Sequence, residues 1–119
     1  MVAETSDLRH RPRAGLTVHR RWSGSEHCVI ALSGELDMQS AARFRAEVSA
    51  ILRGQPAPTA IEIDLAGVRF VDSLGLGTLV VAQRICAELD VRLTVVNPTD
   101  QVARLLEVSG MAARLADQG

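Results

Sequence analysis

Asp72 and Ser73 stand side by side where an apolar strand pattern gives way to a helical one, and Gly75 and Gly77 follow within the next turn. A serine hydroxyl in that position suits a nucleophile, a helix cap or a phosphate acceptor. A nucleophile elbow needs small residues on both sides of the serine, in the pattern Gly-x-Ser-x-Gly. Gly75 satisfies one side, but Val71 occupies the other. A Ser-His-acid triad also needs a placed imidazole. His10, His19 and His27 all belong to the tail or the first hairpin, with no spacing that ties them to Ser73. Phosphate cradling by a P-loop requires a Lys, and the chain contains none. Gly75-Leu76-Gly77 resembles part of a dinucleotide fingerprint, but its glycines come late and the third is missing. Glu35, Asp37, Asp64 and Asp72 supply carboxylates at strand ends, and no partner chemistry singles out a pair. Cys28 and Cys86 lie in apolar runs without metal-ligand spacing, so they read as buried free thiols in a reducing compartment. These residues imply no catalytic centre, no metal and no cofactor.

Cap and phosphate acceptor both remain open. Asp and Ser are common N-caps, because a side-chain oxygen can accept a backbone N–H. The same helix start favours an anion through its free N–H groups and positive dipole end. Phosphate on Ser73 would therefore add about −1.5 to −2 charges without melting the helix. Glycine inside a helix costs about 1 kcal/mol relative to alanine. Two in the first turns imply either close packing on a sheet or a bare surface for a partner.

The elements that must position this stretch follow from the patterning. The 119 residues are 47% hydrophobic and 23% charged, with aromatics at 3% and a net charge of −1. That suits one domain with an aliphatic core and gives no global attraction to nucleic acid or anionic membrane. No apolar run is long enough to cross a membrane, and no signal region is evident, so a cytoplasmic protein is expected. Residues 1–13 read as a mobile, locally basic tail, and residues 14–119 as the domain. Leu16 to Trp22 predicts an edge strand, joined by Ser23-Gly24-Ser25-Glu26 to a central strand at Cys28 to Leu32, apolar on both faces and ended by Gly34. Ser40 should cap a helix with Phe44, Val48, Ile51 and Leu52 on its buried side. Ile61, Ile63 and Leu65 alternate as a strand that Gly67 breaks. From Ser73 to about Leu89 a helix is expected to bury Leu76, Leu79, Val80, Ile85 and Leu89 and to expose Gln83, Arg84 and Glu88. Val91 to Val96 is a strand, and Thr99 caps a third helix containing Val102, Leu105 and Leu106. Met111 to Leu115 reads as a short strand or a helical turn. Alternating strands and helices predict an α/β fold: a mixed, mostly parallel sheet of four to five strands with three to four helices.

Three stretches resemble the STAS-domain family, and within it the single-domain anti-sigma factor antagonists. Ser33-Gly34-Glu35-Leu36-Asp37 is similar to the segment before the family's first helix. Ile63-Asp64-Leu65-Ala66-Gly67-Val68-Arg69-Phe70-Val71-Asp72-Ser73-Leu74-Gly75-Leu76-Gly77 is similar to its signature. Leu105-Leu106-Glu107-Val108-Ser109-Gly110-Met111 is similar to the end of its third helix. The resemblance implies that Ser73 is phosphorylated by a partner that is both an anti-sigma factor and a serine kinase of the GHKL ATPase type. The unphosphorylated form would bind that partner and release a sigma factor, and a PP2C-type phosphatase would reset the switch. Asp37 matches the acidic residue near the phosphoserine, and the partner surface would comprise Asp37, Asp72, Ser73, Leu74, Gly75, Leu76 and Gly77. Many relatives carry a second Ser or Thr where this chain has Leu74. A monomer or weak dimer is expected. The alternative reading is a STAS adaptor in a lipid transporter or stress-signalling assembly.

Overall fold

The structure is a computed structural model and describes residues 15–116; the tail expected over 1–13 lies outside the described residues. The described residues form four strands and four helices in the order β1 (Leu16–Ser23), β2 (His27–Leu36), α1 (Ala41–Leu52), β3 (Ala60–Val71), α2 (Ser73–Glu88), β4 (Arg92–Val96), α3 (Asp100–Val108) and α4 (Ala112–Ala116). The sheet order is β1-β2-β3-β4. β1 pairs antiparallel with β2 through the hairpin, and the β2–β3 and β3–β4 pairs are parallel. Parallel neighbours need a crossover, which α1 and α2 supply. The mixed α/β sheet is the one the alternation predicts, and the stretch from Met111 to Leu115 enters a helical turn, α4, rather than a strand.

Register aligns Cys28, Ile30, Ile61, Ile63, Leu93 and Val95 on one face, where all six are buried. Phe44, Val48 and Ile51 of α1, Leu76 and Leu79 of α2, Val102 and Leu106 of α3, and Leu115 complete the same core. The opposite face carries Val29, Ala31, Glu62, Asp64, Thr94 and Val96, all half-buried. Among the described residues β2 is thus central but covered on one face only; its second apolar row consists of short side chains that tolerate partial exposure.

Gly34 and Gly67 do not end their strands. Pairing continues past both, with register shifts between Ala31 and Ser33 and between Gly34 and Glu35. Gly34 has φ +103, and a Cβ there would overlap the Gly15 carbonyl oxygen. Glycine therefore lets the bulged ladder bend while staying paired. The extension carries β3 to Val71 and delivers Asp72 directly to α2.

Helix α2 departs from the expected division of its faces. Ile85 and Leu89 are 45% and 56% exposed, and Gln83 is buried. The helix is apolar nearly all round, so hydrophobicity alone does not choose its inner face. Gln83 can go inside because its Nε2 donates to the carbonyls of Leu93 at 3.3 Å and Arg114 at 2.6 Å. Ser40 likewise sits at the start of α1 without capping it through its side chain. Its hydroxyl donates to the Glu35 carbonyl at 2.8 Å and accepts from the Asp37 N–H at 3.0 Å. Asp37 Oδ1 instead accepts from the N–H groups of Gln39 and Ser40 at 3.0 and 3.1 Å.

Candidate functional site

The C-terminal ends of β2 and β3 lie side by side, with Leu36 opposite Val71. The chain turns at each end: Asp37 to Ser40 leads into α1, and Asp72 leads into α2. The Asp72 N–H donates to the Leu36 carbonyl at 3.2 Å, so the pairing extends to the last residue before the helix.

Asp72 is the N-cap of α2, with extended backbone. Its Oδ1 accepts from the Gly75 N–H at 2.8 Å, while Oδ2 accepts from the Met38 N–H at 3.0 Å. One carboxylate therefore caps α2 and ties it to the neighbouring turn, and a cap of this kind contributes about 1 kcal/mol. Because Asp72 takes the capping role, Ser73 begins the helix without it. Ser73 is exposed, and its hydroxyl makes no hydrogen bond among the described residues.

The two glycines answer separate demands. Gly75 is buried, and a Cβ on it would overlap the Leu36 carbonyl oxygen and lie 2.7 Å from the carbonyl carbon. Gly77 is exposed, and a Cβ there would meet nothing within 4 Å. Close packing accounts for the first, and a bare surface describes the second.

Of the expected partner-binding residues, Ser73, Leu74 and Gly77 are exposed, and Asp37 and Asp72 are half-buried with their carboxylates in hydrogen bonds. Gly75 and Leu76 are buried against the sheet and do not form part of the surface. Two neighbours escaped the sequence reading. Met38, 65% exposed, and Phe70, 48% exposed, flank an open cleft of about 600 Å³ that also includes Gly15, Glu35, Asp37 and Asp72. Met38 had a signal, being an apolar residue in a turn. Phe70 had none, because Gly67 reads as a strand end and two register shifts in β3, between Asp64 and Gly67 and between Val68 and Phe70, decide which face it takes.

This surface is acidic and partly apolar. Glu35 is paired with Arg69 at 2.9 Å, whereas among the described residues Asp37 and Asp72 bond only backbone or hydroxyl donors. No imidazole stands beside Ser73 among the described residues. His19 pairs with Ala31, a residue of the open sheet face, and His27 begins β2 at the far end of the sheet. Cys28 and Cys86 are free and buried, and burial raises both thiol pKa values, that of Cys86 to about 11. No group of three or more potential metal ligands occurs among the described residues. What the geometry offers is an accessible hydroxyl at a capped helix start, beside the Asp72 carboxylate and the Asp37 turn it holds.

This arrangement on a four-stranded mixed sheet is that of a STAS domain. The family model for the Mlab STAS domain matches residues 19–116, and the chain belongs to that family. Over 92 residues, the chain is 32% identical to the anti-sigma F factor antagonist of Lysinibacillus sphaericus, covering 77% of this chain and 78% of that one. The solved structure of the anti-sigma factor antagonist SpoIIAA in its unphosphorylated form aligns at 28% identity with a TM-score of 0.71, over 87% of this chain and 89% of that one. The phosphorylated form of Bacillus SpoIIAA aligns at 25% identity with a TM-score of 0.65, over 87% and 91%.

Proposed function

We propose that this chain is a bacterial, cytoplasmic anti-sigma factor antagonist switched by phosphorylation of Ser73. Unmodified, it binds an anti-sigma factor that is also a GHKL-type serine kinase, and a sigma factor is released. Phosphate on Ser73 breaks the complex, and a PP2C-type phosphatase restores it. The observation that carries this reading is the Ser73 hydroxyl, exposed at the first position of α2 and without a hydrogen bond among the described residues, because Asp72 performs the capping. Relatives named as anti-sigma factor antagonists, one of them solved in both phosphorylation states, support it.

The physics of the switch is charge added to an already negative surface. Phosphate brings about −1.5 to −2 charges next to Asp72 and close to the Asp37 turn that Asp72 holds. The helix N-terminus tolerates that charge, so the fold persists while the surface changes. Partner groups matched to the hydroxyl form then meet like charge or a desolvated phosphate.

The test is incubation with candidate kinase partners and ATP, followed by intact mass and site mapping. Phosphate on Ser73, and none on Ser73→Ala, is expected. Calorimetry should show Ser73→Ala binding the partner as tightly as the unmodified chain and Ser73→Asp at least about tenfold more weakly. Equal affinities for the two variants, or capture of a transporter ATPase and no kinase, would overturn the reading.

A further inference from the structure

Beyond Phe70, on the far side from the acidic cleft, a second groove of about 340 Å³ runs between the end of β3 and α3. Its walls include Arg69, Phe70, Gln101, Arg104, Leu105 and Val108. The four α3 residues recur at i, i+3, i+4 and i+7, so one face of that helix forms a continuous wall. Val108 is 79% exposed and Phe70 48%, leaving two large apolar side chains in water within one groove.

The charge of the groove is one-sided. Both ionisable residues lining it are arginines, and no carboxylate joins them. Glu107 faces the other flank of α3, where it lines the space against α4. Arg104 is exposed and makes no ion pair or hydrogen bond among the described residues. Arg69 gives one amino group to Glu35 at 2.9 Å, and the rest of its fork of donors remains. Cation and apolar surface thus coincide here in a chain whose net charge is −1.

We propose that this groove is a docking site for an acidic, apolar segment of a partner protein, in which Leu- or Phe-like anchors alternate with carboxylates. The anchors would cover Phe70, Leu105 and Val108, while the carboxylates meet Arg104 and Arg69 as charge-assisted pairs. The nine residues of α3 span about 13 Å, enough to seat about two turns of a helix. Two cations around an apolar floor suit a carboxylate-bearing peptide better than a phosphate backbone, which needs cations along a track. Phe70 also lines the cleft containing Asp37 and Asp72, so a ligand here abuts the Ser73 face. The docking site does not depend on Ser73 being the phosphate acceptor.

The experiment is a nitrogen-15 NMR titration of the whole chain with a synthetic amphipathic peptide of Leu and Glu, and separately with its Leu and Lys counterpart. The Glu peptide should shift the amides of Phe70, Gln101, Arg104 and Val108, with an affinity that falls as salt rises. Arg104→Glu should weaken it about tenfold or more, Val108→Asp should also weaken it, and Arg104→Lys should largely retain it. These side chains are solvent-exposed, and dispersed spectra will show that each variant is folded. Equal binding of the two peptides, shifts confined to the Glu35–Asp37–Asp72 cleft, no saturable binding, or a single-stranded oligonucleotide binding the same residues as tightly would each overturn the proposal.

Discussion

Replacing Gly75 and Gly77 separately by alanine should move stability in opposite directions, although both residues lie in the same helix. Alanine is favoured over glycine inside a helix by about 1 kcal/mol. At Gly77 nothing lies within 4 Å of the added methyl, so Gly77→Ala should stabilise the fold by about that amount. At Gly75 the new Cβ would overlap the Leu36 carbonyl oxygen and lie 2.7 Å from its carbon. That neighbour is backbone, so no rotamer can relieve the clash. Overpacking costs about 1–3 kcal/mol, and here the upper end applies. Moving α2 away would also stretch the Gly75 N–H bond to Asp72, now 2.8 Å. After subtracting the helix gain, Gly75→Ala should destabilise by about 2 kcal/mol or more, separating the two variants by about 3 kcal/mol. Urea unfolding reads this directly: the midpoints should straddle that of the parent chain while the slopes stay equal. A Gly75→Ala midpoint at or above the parent's would refute the packing argument. If Gly77 belongs to the partner surface, the stabilised Gly77→Ala variant should nevertheless bind the partner less tightly.

Asp72→Ala should cost about 1–2 kcal/mol, because it strands two N–H groups, whereas Ser73→Ala should stay within about 0.5 kcal/mol; denaturant midpoints of the pair decide it. Gln83→Met keeps the volume but removes the buried amide that donates to the Leu93 and Arg114 carbonyls, so a loss of about 1–3 kcal/mol is expected, and an unchanged melting curve would contradict that role. For Cys86 the unfolded thiol ionises near 9.0 and the folded one near 11, a rise caused by burial. Between those values the unfolded chain loses a proton that the folded chain keeps, so this group's contribution makes stability fall as pH rises through the window and leaves it unaffected below. A Cys86→Ala variant should show a shallower alkaline decline, and native Cys86 should resist alkylation until the chain unfolds.

The alternating strands and helices were legible because Ile61, Ile63 and Leu65 keep strict parity and Thr99 announces a helix by capping it, accepting from the Val102 N–H at 3.3 Å. Legibility failed where one residue type serves two purposes. Gly34 and Gly67 look like strand ends, yet they are bends within a continuing ladder. Past Gly67 the buried positions become Val68 and Val71, which leaves Phe70 outside. Gln83 reads as polar and therefore exposed, since the carbonyls that admit it come from β4 and α4, far along the chain. Gly75 and Gly77 are indistinguishable by type and differ only in what lies across from them. Asp72 and Ser73 both looked like caps, and a single acceptor sufficed. Sequence alone therefore brought the Asp72–Gly77 stretch forward as the candidate site but did not separate its buried residues, Gly75 and Leu76, from its exposed ones, Leu74, Gly77, Met38 and Phe70.

The Asp72 carboxylate accepts from amides that are 37 residues apart in the chain, those of Met38 and Gly75. In hydrogen-exchange terms these two amides have one protector. Any opening that swings the carboxylate away exposes both to solvent in the same event, so the α1 entrance and the α2 entrance form a single exchange unit. A protein docking on either turn would slow exchange at the other without touching it, and a footprint taken by exchange alone would come out wider than the contact itself.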